Sequence, residues 1–122
     1  MKFNNNEIYQ IANLLTKVFD SLDIYIPAKA NFFIQKNIAT FAAAAQEIEK
    51  SRLEIAKHYG ELDEQGQQYK IPEEKIEEAS KELSDLFSIE QDLDIKTFTI
   101  EALGNAEFTA AQMQAIMFMI ED

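Results

Sequence analysis

Apolar residues recur every three or four positions over most of the chain, the spacing that turns one face of a helix toward a core. Four long stretches have this spacing, and three shorter ones are typical of extended chain. The predicted helices cover residues 5–22, 27–59, 72–90 and 109–121, and the strand candidates cover 1–3, 69–71 and 94–100. The pattern therefore predicts one mainly helical α+β domain that spans residues 1–122.

Three of the predicted helices have clear start signals. Asn4 is followed three residues later by Glu7, and Thr109 is followed three residues later by Gln112. Each pair can form a capping box. In it the first side chain accepts from the backbone N–H group of the second residue, and the second side chain accepts from the backbone N–H group of the first. Pro27 suits the first turn of the long second helix, where a missing N–H group costs no hydrogen bond.

The second predicted helix is the longest element, and Gly60 can terminate it. Its apolar seam advances by alternate steps of four and three residues, through Ile34, Ile38, Phe41, Ala45, Ile48, Arg52, Ile55, Tyr59 and Leu62. A sustained repeat of about 3.5 residues predicts coiled-coil-like packing against a neighbouring helix. Either the flanking helices of the same chain supply that neighbour, packed antiparallel to the long helix, or a second copy of the chain does.

Arg52 is the charged residue in this seam, and its chemistry allows two structural placements. Its aliphatic stem can pack while the guanidinium reaches water. Alternatively, the guanidinium pairs with a carboxylate of another helix and fixes the register of the two helices. A catalytic role is the least favoured of the three interpretations.

Residues 24–46 contain no acidic side chain, although the chain as a whole is strongly acidic. Aromatic and small side chains occupy more than one face of the predicted helix here, which is typical of a core or of an interface. The methionine-bearing stripe of the last helix is typical of a core but also suits an adaptable binding surface. We expect part of these two regions to be an interface. The candidate residues are Phe32, Phe33, Phe41, Ala42, Ala45, Arg52, Met113 and Met117.

The segment 94–100 is the strongest strand candidate, since it is rich in β-branched and aromatic residues. A strand needs a partner, and either residues 1–3 or residues 69–71 can supply one. We therefore expect a small antiparallel sheet of two or three strands beside the helices. Gly104 and Asn105 predict a turn before the last helix.

Charge is distributed unevenly along the 122 residues. The chain carries 22 acidic and 11 basic side chains, for a formal net charge of −11. Residues 1–60 are nearly neutral, whereas residues 61–101 hold 13 acidic and 4 basic side chains. This balance argues against direct contact with the phosphate backbone of a nucleic acid. The acidic segment is either a solvated face that favours solubility or a patch for a basic partner surface.

The composition excludes several kinds of catalytic and metal site. Without cysteine, the chain has no thiolate nucleophile, disulfide, iron–sulfur cluster or sulfur-ligated zinc. It has a single histidine, His58, and neither a glycine-rich phosphate loop nor a nucleophile elbow. The motifs Glu74-x-x-Glu77 and Glu82-x-x-Asp85 fall on one predicted helix, so they cannot face each other across a metal ion. We expect no enzymatic activity, no metal and no cofactor.

The hydropathy of the chain argues against a membrane partner. No apolar run approaches the roughly 20 residues that a membrane-spanning helix requires. No basic segment precedes a signal-like apolar stretch, so we also expect no secretion by a signal peptide.

Several short motifs, each at a defined place in the predicted order of elements, carry a resemblance to a known family. They are Met1-Lys2-Phe3, Gln68-Tyr69-Lys70-Ile71-Pro72, Glu82-Leu83-x-x-Leu86, Leu93-Asp94-Ile95 and Phe118-Met119-Ile120-Glu121. With the long second helix they resemble a family of small acidic proteins encoded by tailed phages and prophages, over nearly the whole chain. The family has no assigned activity or functional residues. The resemblance implies a phage gene product that acts in the cytoplasm of the infected bacterial cell or in the virion.

These features together predict a non-enzymatic, phage-type accessory or structural protein that works by protein–protein contact and associates with itself. The alternative is an acidic inhibitor of a host protein, with an anti-defence or nucleic-acid-mimic role, that presents residues 61–101 to a basic surface. Salt separates the two hypotheses, because an apolar interface persists at high ionic strength and an acidic-patch complex weakens steeply.

Overall fold

The computed structural model describes residues 1–20, 22–63, 65–66 and 68–121. Within them, the helices are α1 (Asn5–Phe19), α2 (Ala28–Tyr59), α3 (Ile76–Ser88) and α4 (Ala110–Ile116). The strands are β1 (Lys2–Asn4), β2 (Glu61–Leu62), β3 (Tyr69–Lys70), β4 (Glu90–Asp92), β5 (Phe98–Thr99) and β6 (Ile120–Glu121). Single turns of 3-10 helix cover Glu73–Lys75, Ile100–Leu103 and Met117–Met119. The described residues have the mainly helical α+β fold that the hydrophobic pattern predicts.

The long helix α2 is the spine of the fold, and the flanking helices are packed against it. The Tyr9 hydroxyl of α1 donates to Glu49 far along α2, whereas Phe19 at the end of α1 shares a cleft with Ile38. These contacts show that α1 runs antiparallel to α2. The third helix also packs on α2, and α4 packs on α1. The long helix therefore finds its neighbours within the same chain, which was one of the two predicted arrangements.

The buried face of α2 differs from the predicted seam at two positions within its length and ends earlier than the seam does. It advances by alternate steps of four and three residues through Ala30, Ile34, Asn37, Phe41, Ala44 and Ile48. The predicted seam has Ile38 and Ala45 where the structure buries Asn37 and Ala44. The prediction selected the apolar residue at each step, but Ile38 and Ala45 are only half-buried. The alternation of four and three residues is the one that the sequence predicts, but the buried face ends at Ile48. Of the later residues in the predicted seam, Arg52, Ile55 and Tyr59 are half-buried, and Leu62 is exposed and belongs to β2.

Two buried asparagines hold other segments of the chain against the core, Asn5 the end of α3 and β4, and Asn37 the segment at Lys96. The Asn5 Nδ2 donates to the Leu86 carbonyl at 2.8 Å, and its Oδ1 accepts from the Gln91 side chain at 2.7 Å. The Asn37 side chain binds both backbone groups of Lys96, donating to its oxygen and accepting from its nitrogen, each at 2.8 Å. Within the described residues no buried side-chain nitrogen or oxygen lacks a partner, as a stable interior requires.

The strands form three short pairs within the described part of the chain. The pairs β1–β4 and β2–β3 are antiparallel, as the sequence predicts for the sheet, whereas β5–β6 is parallel. The prediction of one strand over 94–100, paired with residues 1–3 or 69–71, is wrong. Only Phe98–Thr99 forms a strand, and its partner is Ile120–Glu121. The Asn37 side chain occupies both backbone groups of Lys96 that a sheet ladder would use.

The ends of two helices differ from the prediction because the chain must extend there to form strands. The last predicted helix, 109–121, is α-helical only to Ile116, since residues 120–121 need extended backbone to pair with β5. Similarly, the helix predicted over 72–90 begins with a 3-10 turn, and α3 ends at Ser88 before β4 pairs with β1.

The first helix is shorter than predicted, and α2 closely follows its prediction. The α1 helix ends at Phe19 rather than at residue 22. Ser21 of that predicted helix lies outside the described residues, as do Glu64 and Gln67 of the acidic segment 61–101. The α2 helix ends at Tyr59 and is capped by Gly60, where a Cβ atom would lie 2.6 Å from the backbone oxygen of Ala56. Only glycine fits this close approach without a shift in the chain.

Candidate functional site

The structure distributes the eight interface candidates over the core, the half-buried shell and the surface. Phe41 is fully buried, the half-buried candidates are Phe33, Ala45, Arg52 and Met113, and the exposed ones are Phe32, Ala42 and Met117. The half-buried and exposed side chains can contact a partner in this conformation. They do not form one patch, so each region is described separately below.

Phe41 stands at the centre of a cluster of three rings and not on the surface. Its ring centroid lies 5.3 Å from that of Phe3 and 5.7 Å from that of Phe118, both edge-to-face. The Phe3 and Phe118 rings also meet edge-to-face, at 5.9 Å. Each such pair stabilises the fold by about 0.5–1.5 kcal/mol beyond the stabilisation that burial of the ring surface provides. Phe41 is therefore a core residue, and its prediction as an interface residue is corrected.

Arg52 pairs with a carboxylate of its own helix and not, as one prediction had it, of another helix. Its Nε donates to Glu49 Oε2 at 2.9 Å, and its Nη2 donates to Glu49 Oε1. The Tyr9 hydroxyl of α1 donates to the same carboxylate at 3.1 Å. Hydrogen bonding by Arg52, and more weakly by Tyr9, lowers the pKa of Glu49. The carboxylate thus links Arg52 to α1, which ties the two helices together indirectly.

Ala42 and Ala45 line a narrow cleft between α1 and α2. The cleft has a volume of about 250 Å³, and its other wall includes Tyr9, Asn13 and Thr16 of α1. Ala45 is half-buried against the core, whereas Ala42 is exposed at the mouth of the cleft.

The outward side of α2 carries an aromatic ring between two cations. We call Lys29, Phe32, Lys36, Ala39 and Ala43 the outer face of α2, and all five side chains are exposed. Phe32 is 58% exposed. The Lys36 Nζ lies 5.8 Å from the centroid of its ring, within cation–π distance. No acidic residue occurs between residues 24 and 46, so this face is positively charged and partly apolar.

Helix α4 begins with the predicted capping box and is fixed on the core by its inner side. The Thr109 Oγ1 accepts from the Gln112 backbone nitrogen at 3.1 Å, and the Thr109 nitrogen donates to the Gln112 side chain at 2.8 Å. Ile116 and Met119 are fully buried. With the inner side fixed in this way, the other methionines of the segment lie nearer the surface.

An open apolar groove lies beside α4. The groove, about 540 Å³ in volume and called the Met groove below, is lined by Ile100, Glu101, Met113, Met117, Ile120 and Glu121. Met117 and Ile100 are each 56% exposed. The Thr97 hydroxyl donates to Glu121 Oε2 at 2.8 Å, which orients that carboxylate. The groove combines a hydrophobic lining with two carboxylates.

The sequence predicts Met113 and Met117 as interface residues but not the isoleucines that complete the groove. Ile100 and Ile120 meet the methionines because β5 pairs in parallel with β6. This pair contains only two residues of each strand, Phe98 with Ile120 and Thr99 with Glu121, and the partners lie 22 positions apart in the chain. Local composition carries no signal for such a short, long-range pairing, so the groove could not be assembled from the sequence.

Acidic side chains are densest on α3 and on the turn before it. The exposed carboxylates here are Glu73, Glu74, Glu77, Glu78, Glu82 and Asp85. A hydrogen bond with Glu82, followed by desolvation, raises the pKa of Tyr59 at the end of α2 to about 12. Among the residues that the structure describes, no group of three or more acidic or histidine side chains is placed to hold a metal ion.

Comparisons with protein-family models, with curated proteins and with solved structures give no match for this chain. In the described ranges, none of the helices has both the length and the apolar character needed to cross a membrane. The surfaces above are therefore interpreted from their own geometry and charge.

Proposed function

We propose that the chain is a non-enzymatic, phage-type accessory or structural protein that works by protein–protein contact and associates with itself. The observation that carries the proposal is the Met groove. The resemblance of the sequence to small acidic phage proteins supports the context, which is the cytoplasm of an infected bacterial cell or the virion. The proposal includes no nucleic-acid or membrane contact, since the net charge is −11.

The Met groove favours a protein partner because it exposes apolar side chains that water solvates poorly. Met117 and Ile100 are more than half exposed, and Met113 and Ile120 adjoin them. Fully burying one such side chain is worth about 1.5–3 kcal/mol, so four half-buried ones provide several kcal/mol on association. Methionine is also flexible and polarisable, which suits a surface that adapts to a partner.

The test is the mass of the protein in solution, measured by light scattering over a range of concentrations at low and high salt. We expect the wild-type chain to form oligomers that persist at high salt, because burial of apolar surface drives the contact. We expect Met117→Asp to dissociate them. Leu14→Asp is the matched control, since Leu14 is an exposed leucine of α1, outside the groove. A monomeric wild-type chain at all concentrations, or equal dissociation by the control, would contradict the proposal.

The second candidate function is inhibition of a host protein through the acidic surface. The six exposed carboxylates of residues 73–85 favour it, because a dense negative surface attracts a basic partner over a distance. A complex of this kind would weaken steeply as salt screens the charges. A wild-type monomer that binds a basic protein only at low salt would therefore support this candidate over the first.

A further inference from the structure

The chemistry of the Met groove specifies the partner that fits it. Its lining is apolar, and Glu101 and Glu121 add two exposed carboxylates. Residues 97–121 contain no lysine or arginine that could neutralise these charges. A complementary surface must therefore present an apolar side chain together with cations.

The outer face of α2 has this complementary chemistry. Phe32 is an exposed apolar ring, and Lys29 and Lys36 lie one helical turn before it and one turn after it. Exposed alanines, Ala39 and Ala43, continue the face along the helix with little bulk. Because α2 is 32 residues long and regular, this face is a rigid ridge that requires no folding to bind.

We infer that the outer face of α2 of one copy docks into the Met groove of the next copy. This inference rests on the proposed self-association and names its two surfaces. In this contact the ridge and the groove of one copy bind two different neighbours, so the contact is head-to-tail. Such a contact produces a closed ring if its rotation closes, and an open filament if it does not.

Charge favours this contact over a contact between two like surfaces. Two Met grooves face to face would bring the carboxylates of Glu101 and Glu121 against their own copies. Two outer faces would likewise oppose Lys29 and Lys36 to the same lysines. Like charges across an interface cost free energy, whereas the head-to-tail contact pairs lysines with glutamates.

A mixing experiment tests the head-to-tail contact. Phe32→Asp disrupts the outer face of α2, the ridge, and leaves the Met groove intact. Met117→Asp disrupts the Met groove and leaves the ridge intact. Both residues are exposed, so we expect both variants to keep the wild-type circular dichroism and thermal unfolding. Each variant alone should be monomeric by light scattering. An equal mixture should form a 1:1 dimer that does not grow, because one intact ridge and one intact groove remain.

The outcomes separate the inference from the proposed function. A wild-type chain that stays monomeric contradicts the self-association on which both depend. A wild-type oligomer with no dimer in the mixture overturns the head-to-tail contact alone. A wild-type oligomer that Phe32→Asp leaves intact overturns it as well, since the ridge would then not be used.

Exchange of charges gives a second test that leaves the apolar residues unchanged. Lys36→Glu and Glu101→Lys should each weaken wild-type association by roughly two- to fivefold at low salt, the range of exposed ion pairs. The two variants mixed together should recover the wild-type affinity, because the mixture contains one unchanged pair of lysine and glutamate and one pair in which the two charges are exchanged. No recovery at low salt would contradict the pairing of these two surfaces.

Discussion

The Asn37 side chain holds an irregular segment of the chain against the core face of α2. It is fully buried and binds both the nitrogen and the oxygen of Lys96 at 2.8 Å. We expect Asn37→Leu, which is similar in size, to leave these backbone groups unpaired and to lower the free energy of unfolding by about 2–4 kcal/mol. Urea unfolding followed by circular dichroism measures this loss.

Asn31→Leu is the control for that substitution, since Asn31 lies on an exposed position of the same helix. It should change the free energy of unfolding by less than about 0.5 kcal/mol. If the two variants are equally stable, the hydrogen bonds to Lys96 do not hold the segment in place.

At the scale of the element, the short helix α4 depends on its cap. Helices of this length are marginal in water, and α4 has only 7 residues. Thr109→Ala removes the side-chain acceptor of the capping box and should cost about 1 kcal/mol. The free energy of unfolding and the hydrogen-exchange rates of the Gln112 and Met113 amides measure the effect. Because α4 carries Met113, we also expect weaker self-association.

Thr109→Ser keeps the hydroxyl and serves as the control for the cap. It should retain nearly all of the stability and the slow exchange of the Gln112 amide. Equal exchange rates in the serine and alanine variants would show that the hydroxyl does not support the helix.

Elements with strong local signals could be predicted from the sequence, and those that depend on distant contacts could not. The long helix differs from its prediction by one residue, because Pro27 and Gly60 mark its ends locally. Both capping boxes form as predicted. By contrast, the parallel pair of β5 and β6 depends on how Asn37 and Ile116 place the two segments on the core. A polar residue on a core face has no signature in a hydrophobic pattern.

The same limit applies to the candidate site. The prediction places Met113 and Met117 at an interface from their residue type, and both line the Met groove. It also places Phe41 there, because a phenylalanine in an apolar stretch looks the same in sequence whether it faces a core or a partner. Only the rings of Phe3 and Phe118, distant in sequence, decide that Phe41 is buried.

At the scale of the whole molecule, charge is separated between two surfaces. The outer face of α2 is positive, whereas α3 and the turn before it carry the acidic side chains. On α3, Glu82 lies four residues after Glu78 and three before Asp85, so three negative charges share one side of a helix. Self-repulsion of this kind destabilises the folded chain, and salt relieves it. We therefore expect the melting temperature to rise when salt is added to a dilute buffer.

Glu82→Gln tests the location of this repulsion. A glutamine can still accept from the Tyr59 hydroxyl but removes the charge, so the melting temperature at low salt should rise and its dependence on salt should decrease. The hydrogen bond of the Tyr59 hydroxyl with the charged Glu82 carboxylate is the main cause of the high pKa of Tyr59, about 12. A neutral amide oxygen is a weaker acceptor than a carboxylate, so that pKa should fall toward its ordinary value of 10.0. Thermal unfolding and an NMR titration of the Tyr59 ring measure the two effects.

The matched control is Glu54→Gln on α2, which removes the same charge from a position between two lysines. Lys50 lies four residues before Glu54 and Lys57 lies three after it, so this substitution removes attraction rather than repulsion. The melting temperature of the control should stay constant or fall at low salt, and the pKa of Tyr59 should not change. If both variants raise the melting temperature equally, the net charge of the chain governs its stability and the clustering of carboxylates on α3 does not.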